Sequence, residues 1–359
     1  MCQKPADGAD TINPISAGMP AHLPHTQVRN LRRLLLAWYD AHRRDLPWRN
    51  DTNPYRVWVS EIMLQQTRVG AVLDHYARFM KRFPTLTALA RAREQSVLAA
   101  WSGLGYYHRA RRMHQAAKVI VREYGGQFPS RAEDWLRLPG IGRYTAAAIA
   151  SIAFGEAIAV VDGNVVRVLT RLAGEPLKNG QAWERAQALL DSSRPGDFNQ
   201  AMMELGATVC TPKAPKCLLC PLTNFCQTRG EHPSSNQASR KSKQLCYALV
   251  ERHGAVLLVQ RDAKARLMAG MWELPQIDES LLSGRVPVAC LRHSITDTDY
   301  KILIFRPAEF DAPNAAWFTQ KQWQRMALTG LARKILTRLR EKPRESSFPR
   351  RESNRSGGS

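Results

Sequence analysis

What the chain lacks narrows it first. In 359 residues no stretch approaches the roughly 18 uninterrupted apolar residues of a membrane span. Met1 to Thr26 is rich in Pro, His and Asp and holds no apolar run, so no secretory signal is expected there. Internal repeats and heptads are missing as well, which sets aside solenoids and coiled coils. Acidic residues are scarce: 31 Asp plus Glu stand against 52 Lys plus Arg, a net charge of +21. Such an excess either serves solubility or draws the protein to a polyanion. With no apolar anchor beside it, nucleic acid is favoured over a membrane surface. A hydrophobic content of 44% with 23% charged residues is that of a globular chain, not a disordered one. The length suits two or three domains.

Cysteine is uncommon and unevenly spread. Cys2, Cys246 and Cys290 are scattered, whereas Cys210, Cys217, Cys220 and Cys226 crowd into one short segment. The odd total, seven, argues against a secreted disulfide framework. The spacing Cys-x6-Cys-x2-Cys-x5-Cys offers four thiolates, the donor set of tetrahedral zinc or of an iron–sulfur cluster. Structural zinc sites usually show two short knuckles, and only one Cys-x2-Cys is present, so the spacing favours a [4Fe–4S] cluster. Lys213, Lys216 and Arg229, in or beside this loop, would give it a phosphate-facing surface.

Residues 27 to about 230 read as almost wholly helical. Leu31, Leu34, Leu35 and Trp38 mark one face, Asn53-Pro54 is a capped helix start, and Asp162 precedes a stripe of Val165, Val168, Leu169 and Leu172. After Cys226 the composition turns polar, then to strand period. Cys246–Val250 and Ala255–Gln260 flank a turn at Gly254 and predict a hairpin; Lys301–Phe305 and Ala315–Thr319 predict further strands, and Leu328–Leu339 a closing helix. The expected organisation is a loose tail over 1–26, a helical domain over 27–230, a linker over 231–243, an α+β domain over 244–340 and a disordered tail over 341–359.

Three segments carry chemistry. Leu138-Pro139-Gly140-Ile141-Gly142-Arg143-Tyr144 is a tight turn opening a helix of small residues. It is either a plain helix–helix turn or one where Gly140 and Gly142 let backbone amides reach an anion. Glu61 lies within an apolar helical run, Val57 to Leu64, and is either solvated or desolvated with a raised pKa, fit for a general acid. Asp162 follows Val160-Val161 at a helix start, as an N-cap, a catalytic anion or both. Two carboxylates in unlike surroundings form the acid and anion pair that splits a glycosidic bond through a cationic sugar.

In order along the chain, Leu46-Pro47-Trp48-Arg49, the Glu61 helix, Gly103-Leu104-Gly105-Tyr106-Tyr107, the glycine hairpin, Val161-Asp162-Gly163-Asn164, Met203-Glu204-Leu205-Gly206-Ala207 and the cysteine cluster resemble the helix–hairpin–helix DNA glycosylases. The closest resemblance is to the MutY-type adenine glycosylases. It implies an all-α helix–hairpin–helix glycosylase core with an iron–sulfur cluster loop, and a C-terminal α+β MutT/Nudix-like domain. The substrate it implies is double-stranded DNA carrying adenine opposite 8-oxoguanine or guanine, the adenine being flipped from the stack. Glu61 would protonate adenine N7 and Asp162 would stabilise the oxocarbenium ion, transiently bonding to the sugar. Tyr144 and Asn164 are similar to residues that position Asp162 and the sugar, Glu204 matches a supporting carboxylate, and Arg49 matches the adenine pocket. Gln66 and Tyr106 match residues that wedge into the duplex, and Gly140 and Gly142 belong to the phosphate-holding hairpin. The resemblance further implies a monomer of the bacterial cytoplasm with a [4Fe–4S] cluster and no membrane partner.

The alternative is a bifunctional endonuclease III-like pyrimidine glycosylase and AP lyase. That branch carries a Lys nucleophile where this chain has Tyr144, so simple base excision is expected. Leu257 to Arg261 and Gly270 to Pro275 resemble the MutT-like domain, without an acidic Nudix helix after Pro275, so no pyrophosphatase activity is expected. The family's lesion-reading loop usually has Phe-Ser-His after an Arg-His pair, whereas here Arg292-His293-Ser294 leads into Ile295-Thr296-Asp297.

Overall fold

The computed structural model describes residues 24–231 and 241–340, apart from 266–267, 283, 296–297, 308–309 and 311. Of the expected tail over 1–26, residues 1–23 lie outside the described residues, while His25 and Thr26 already belong to the first helix. The expected tail over 341–359 and 232–240 of the expected linker also lie outside the described residues. The chain divides into two compact units. One joins the segment up to Glu61 with Gln127–Gln237, and the other joins Ile62–Gly126 with the residues after Ala238. Among the described residues no helix is long and apolar enough to cross a membrane.

The first unit is helical. Its opening helix, His25–His42, buries Leu31, Leu35, Leu36 and Tyr39. Leu34 and Trp38, expected on that face, are only half-buried, because the stripe turns towards Leu36 and Tyr39. The helix Pro54–Leu64 starts where Asn53-Pro54 predicts. Asn53 Oδ1 accepts from the Tyr55 and Arg56 amides at 3.0 and 3.2 Å, satisfying two of the donors that every helix start leaves open. One turn on, Trp58 packs at 5.7 Å on Trp135, which stacks on Phe128 at 5.9 Å. Burying such rings stabilises by about 2–3 kcal/mol each. They fix the Glu61-bearing helix against the short helix Ala132–Trp135 that enters the hairpin.

Gly140, at φ 78°, takes the left-handed turn that a side chain would resist. The exit helix Arg143–Phe154 then buries every residue from Thr145 to Ser151. Its alanines keep it narrow, so neighbouring helices approach at backbone distance. A Cβ on Gly196 would sit 2.7 Å from the Ser151 carbonyl oxygen. The helix Gly163–Ala173 buries Val165, Val168, Leu169 and Leu172 as its stripe predicts.

The second unit combines the helices Val69–Arg82, Leu86–Arg91, Glu94–Trp101 and Tyr107–Glu123 with eight strands. These are β1 Lys241–Ala248, β2 Glu251–Arg252, β3 Ala255–Gln260, β4 Trp272–Glu273, β5 Gln276–Ile277, β6 Ala289–Ile295, β7 Thr298–Phe305 and β8 Ala315–Thr319. One sheet has the order β5-β1-β7-β6, with β1 parallel to β7. The other has β2-β3-β4 with β8 on β3. The expected hairpin between Cys246–Val250 and Ala255–Gln260 is therefore corrected. Cys246, Tyr247 and Ala248 are all buried, so β1 is covered on both faces and takes neighbours along both edges. Only Glu251–Arg252 folds back on β3, through His253 and Gly254 at φ 49° and 74°, both values a primed hairpin turn needs. The closing helix runs over Gly330–Arg340, not from Leu328. Leu328 bridges to Trp272, and Thr329 Oγ1 accepts from the Ala332 amide as the cap.

The Leu328 carbonyl is a node of this unit. It accepts from Ser102 Oγ at 3.0 Å and from the Tyr107 hydroxyl at 3.1 Å. Arg333 donates to Ser102 Oγ at 2.6 Å and to the Met326 carbonyl at 3.0 Å. Arg333→Met strips the buried Ser102 of its charged donor and should destabilise the protein by about 2 kcal/mol. A urea titration checks this through the midpoint, and an unchanged midpoint would remove Arg333 from the node.

Candidate active site

Glu61 sits on the eighth residue of its helix and is 6% exposed. The tryptophan layer and the exit helix dry its surroundings. Its Oε2 accepts from the Tyr144 hydroxyl at 2.8 Å, and that same hydroxyl lies 3.3 Å from Met203 Sδ. Burial raises the Glu61 pKa to about 7. The Tyr144 hydrogen bond and the Arg49 charge pull it down and the Asp162 charge pushes it up, but desolvation outweighs them. Of the two readings open from sequence, solvated or dry, Glu61 is dry. Tyr144 is raised well above 10 by burial and by the Glu61 and Asp162 carboxylates, so it stands between two acidic groups as a neutral donor.

Asp162 is both a helix cap and a half-buried carboxylate. Its Oδ1 accepts from the Val165 amide at 2.7 Å, and its Oδ2 accepts from Asn164 Nδ2 at 2.8 Å. The carboxylate is thus held at both oxygens. Asn164 is held in turn, since its Oδ1 accepts from Arg167 Nη2 at 2.7 Å. The same nitrogen reaches the Gly206 carbonyl at 2.7 Å, and Arg167 Nε reaches the Cys210 carbonyl at 2.8 Å. A Cβ on Gly206 would lie 2.6 Å from Asn164 Cβ, so only glycine lets the two helices close at this level.

Glu204 is fully buried and pairs with arginines, not with Asp162. Arg44 donates to it through Nε at 2.6 Å and Nη2 at 2.8 Å, and Arg49 through Nη2 at 2.9 Å. Burial alone would raise its pKa, but these three contacts with two cations hold it below the ordinary carboxylate range. Arg49 lies over the Tyr39 ring at 5.6 Å, with its buried Nε lacking a partner among the described residues. Gly142 caps the exit helix with no side-chain acceptor, and the Ile141 amide before it donates to the Leu138 carbonyl at 3.3 Å. Next to Gly142, Arg143 lies flat on the Trp183 ring at 3.9 Å.

Cys210, Cys217, Cys220 and Cys226 line one small cavity together with Arg171 and Arg229. Buried Arg171 donates to Cys210 Sγ at 3.3 Å and to the Thr211 and Pro212 carbonyls at 2.7 and 3.0 Å, pinning the loop. Burial pushes the Cys220 thiol up to about 11, and the other three sulfurs push the same way. Among the described residues no three His, Cys, Asp or Glu side chains converge on the position of a single ion.

Glu61, Tyr144, Asp162 and Asn164 therefore come together, with Arg49 and Glu204 beside them. Gln66 and Tyr106 belong to the other unit, both exposed and both left-handed, at φ 56° and 47°. Sequence reasoning missed Arg44, Arg167 and Arg171. Arg44 precedes the Leu46-Pro47-Trp48-Arg49 motif by two residues, and the other two follow Asp162 on the helix face that meets the cysteine loop; only their position beside those motifs marks them.

Because Glu61 titrates near 7 when folded and near 4.5 when unfolded, the folded state binds the extra proton between those values. Its stability contribution is complete below pH 4.5 and is lost as pH rises to 7. Glu61→Gln has no such loss. It should be as stable as the parent at pH 5 relative to its own baseline and gain up to about 3 kcal/mol over it by pH 8. Parallel denaturant curves at the two pH values decide this, and a pH-independent difference would mean that Glu61 is not desolvated.

Residues 59–190 match the family pattern described as HhH-GPD superfamily base excision DNA repair protein. The chain is 38% identical to the adenine DNA glycosylase of Rattus norvegicus over 400 residues, covering 86% of this chain and 77% of that one. It is 37% identical to the Homo sapiens adenine DNA glycosylase, covering 86% and 74%. The solved structure of a thermostable thymine-DNA glycosylase is 30% identical with a TM-score of 0.54, over 57% of this chain and 97% of that one. A non-covalent endonuclease III–DNA complex, 21% identical at a TM-score of 0.50 over 58% of this chain and 97% of that one, shares the fold. With a buried acid and a capped anion set around one tyrosine, on a helix–hairpin–helix frame that these relatives share, the chain belongs to the adenine DNA glycosylase family.

Proposed function

We propose that this protein removes adenine paired with 8-oxoguanine or guanine in double-stranded DNA, by hydrolysis of the N-glycosidic bond and without cutting the strand. The observation that carries the reading is Glu61: a buried carboxyl group with a pKa near 7, facing a fixed carboxylate across a neutral tyrosine. Since Oε2 accepts from Tyr144, Oε1 is left to carry the acid proton. Transfer of that proton to N7 makes adenine a leaving group, and the bond from N9 to the sugar breaks with its electron pair going to the base. The positive charge left on the sugar faces Asp162, whose held carboxylate stabilises it or bonds to it transiently until water displaces it. The products are free adenine and an abasic site. Arg49 fits a donor to the flipped base through its guanidinium, and Glu204 with Arg44 keeps it aimed. The start of the exit helix at Gly142, which no side chain caps, suits a backbone phosphate.

The four cysteines suit a [4Fe–4S] cluster. They surround a cavity instead of converging on one point, as thiolates do when each holds a different iron. Bound there, the cluster would supply structure to the loop through iron–thiolate bonds. We read residues 27–230 as the catalytic region and 244–340 as a MutT/Nudix-like lesion reader, acting as a monomer in a compartment that holds DNA. The bacterial part of the compartment reading rests on the resemblance alone, since relatives come from rat, human and Buchnera. Thr296 and Asp297 of the lesion-reading loop lie outside the described residues. With Ile295-Thr296-Asp297 at the Phe-Ser-His position, the preference for 8-oxoguanine over guanine should be five- to a hundredfold smaller than such a loop gives, the worth of one hydrogen-bonding contact. Single-turnover excision on the two duplexes, by this chain and by one carrying Phe-Ser-His at 295–297, measures it.

The function itself is tested on an adenine:8-oxoguanine duplex under single turnover. Glu61→Gln should bind but lose about 10²–10⁴ in rate, and Asp162→Asn should fail likewise. Near-parental excision by either variant removes that residue from its role. The parent strand should break only on alkali, with no borohydride-trapped complex. Tyr144→Lys, which restores an amine near the sugar, should yield a trapped adduct. Strong trapping by the parent protein would move the chain to the lyase branch.

A further inference from the structure

Arg109 is a buried cation outside the acid–anion site, and its guanidinium gathers an unusual set of acceptors. It lies on the helix Tyr107–Glu123 and is 5% exposed. Nη1 donates to the carbonyls of Ile62 at 2.9 Å and Met63 at 3.2 Å, and also to that of Gln65. Nη2 donates to Thr67 Oγ1 at 3.3 Å and to the Leu104 carbonyl at 3.5 Å. Its Cζ lies 5.5 Å from the Trp101 ring and 5.2 Å from the Tyr106 ring. Its acceptors come from two segments distant in sequence, the helix end and loop over 62–67 and the loop at Leu104. Among the described residues its hydrogen bonds go to four carbonyls and one hydroxyl, so the charge is met by neutral dipoles and ring faces. Burial pulls its pKa down to about 10, which still leaves it charged at neutral pH.

Each loop presents one exposed side chain in a left-handed conformation, Gln66 on the first and Tyr106 on the second. For a non-glycine residue that conformation costs about 1 kcal/mol or more, and it persists only where the surroundings impose it. Arg109 touches the residue before Gln66, the residue after it, and the Tyr106 ring itself. A lysine could keep the charge, but as a point donor it could not fan across five acceptors or lie against two rings.

We propose that Arg109 is a positioning residue that locks Gln66 and Tyr106 together as one rigid wedge for opening the base stack, so that the cost of their left-handed backbones is met before DNA arrives. This rests on the reading of Gln66 and Tyr106 as side chains that enter the duplex. A wedge assembled beforehand spends no binding energy on ordering itself, so its benefit falls on base extrusion and not on the bond-breaking step.

The test separates extrusion from chemistry. Single-turnover excision by Arg109→Lys is measured on a duplex with adenine opposite 8-oxoguanine, and on one with adenine opposite an abasic gap, where no base pair has to open. The expected result is a loss of about tenfold or more on the first and less than about threefold on the second. With 2-aminopurine in place of adenine, the rise in fluorescence on mixing should slow by the same factor as the paired-duplex rate. Equal loss on both duplexes, or none on either, overturns the proposal. Thr67→Val, which removes one side-chain acceptor from Nη2 and spares the core, should show a smaller loss, about threefold, again confined to the paired duplex; no selective loss there also counts against it. Gln66→Ala and Tyr106→Ala test the underlying reading. If both slow the paired duplex selectively and Arg109→Lys does not, the wedge stands and Arg109 is not its organiser. If neither does, the wedge reading falls and the proposal falls with it.

Discussion

A carboxyl group holds a proton near neutral pH only where water is kept from it, and much of the first unit is committed to keeping water from Glu61. The Trp58, Phe128 and Trp135 rings close one side of its helix, and the alanine-rich exit helix closes another. The small residues of that helix allow it to come near enough for Tyr144 to donate to Glu61 directly. A larger residue at Ala147 or Ala148 would fill the space that Val160, Tyr144 and Met203 now share. The raised acidity of one side chain is thus a property of the packing of three helices.

Charge in the same unit is handled by the opposite strategy. Glu204 is as buried as Glu61, yet it is kept ionised by two arginines instead of being neutralised. Breaking such a pair by removing one partner would leave an uncompensated buried charge, which is far costlier than the pair is worth. Two buried carboxyl groups therefore sit in one unit with their acidities pushed apart, one by dryness and the other by cations. That divergence is what lets the first give a proton while the second only holds a guanidinium in place.

The candidate site was legible in the chain to the extent that its groups are local. Asp162 as a cap follows from the residues around it, and its stripe of Val165, Val168, Leu169 and Leu172 is buried as periodicity requires. Gly140 takes the left-handed turn that its neighbours demand. Glu61 was ambiguous because its dryness comes from Trp135 and Tyr144, about 75 and 83 positions away, which no local period records. Arg44 and Arg167 were invisible for a similar reason: an arginine in a chain of net charge +21 looks like surface until its acceptors are found. The strand pairing failed where β1 is buried on both faces, since alternation then gives no direction and adjacency in sequence suggests the wrong neighbour.

The bonds of Arg167 and Arg171 bear on the order in which the protein comes into being. A chain grows from its N-terminus, so the helix Gly163–Ala173 exists before the residues from Gly206 to Cys226 have been made. At that stage the guanidinium donors that later meet the Gly206, Cys210, Thr211 and Pro212 carbonyls have water in place of those carbonyls. Arg167 can already meet Asn164 within that helix, but its own anchors on the Gly206 and Cys210 carbonyls are still to come. A nascent chain can carry its acid, its tyrosine and its anion and still hold them loosely, and the last-made loop tightens them.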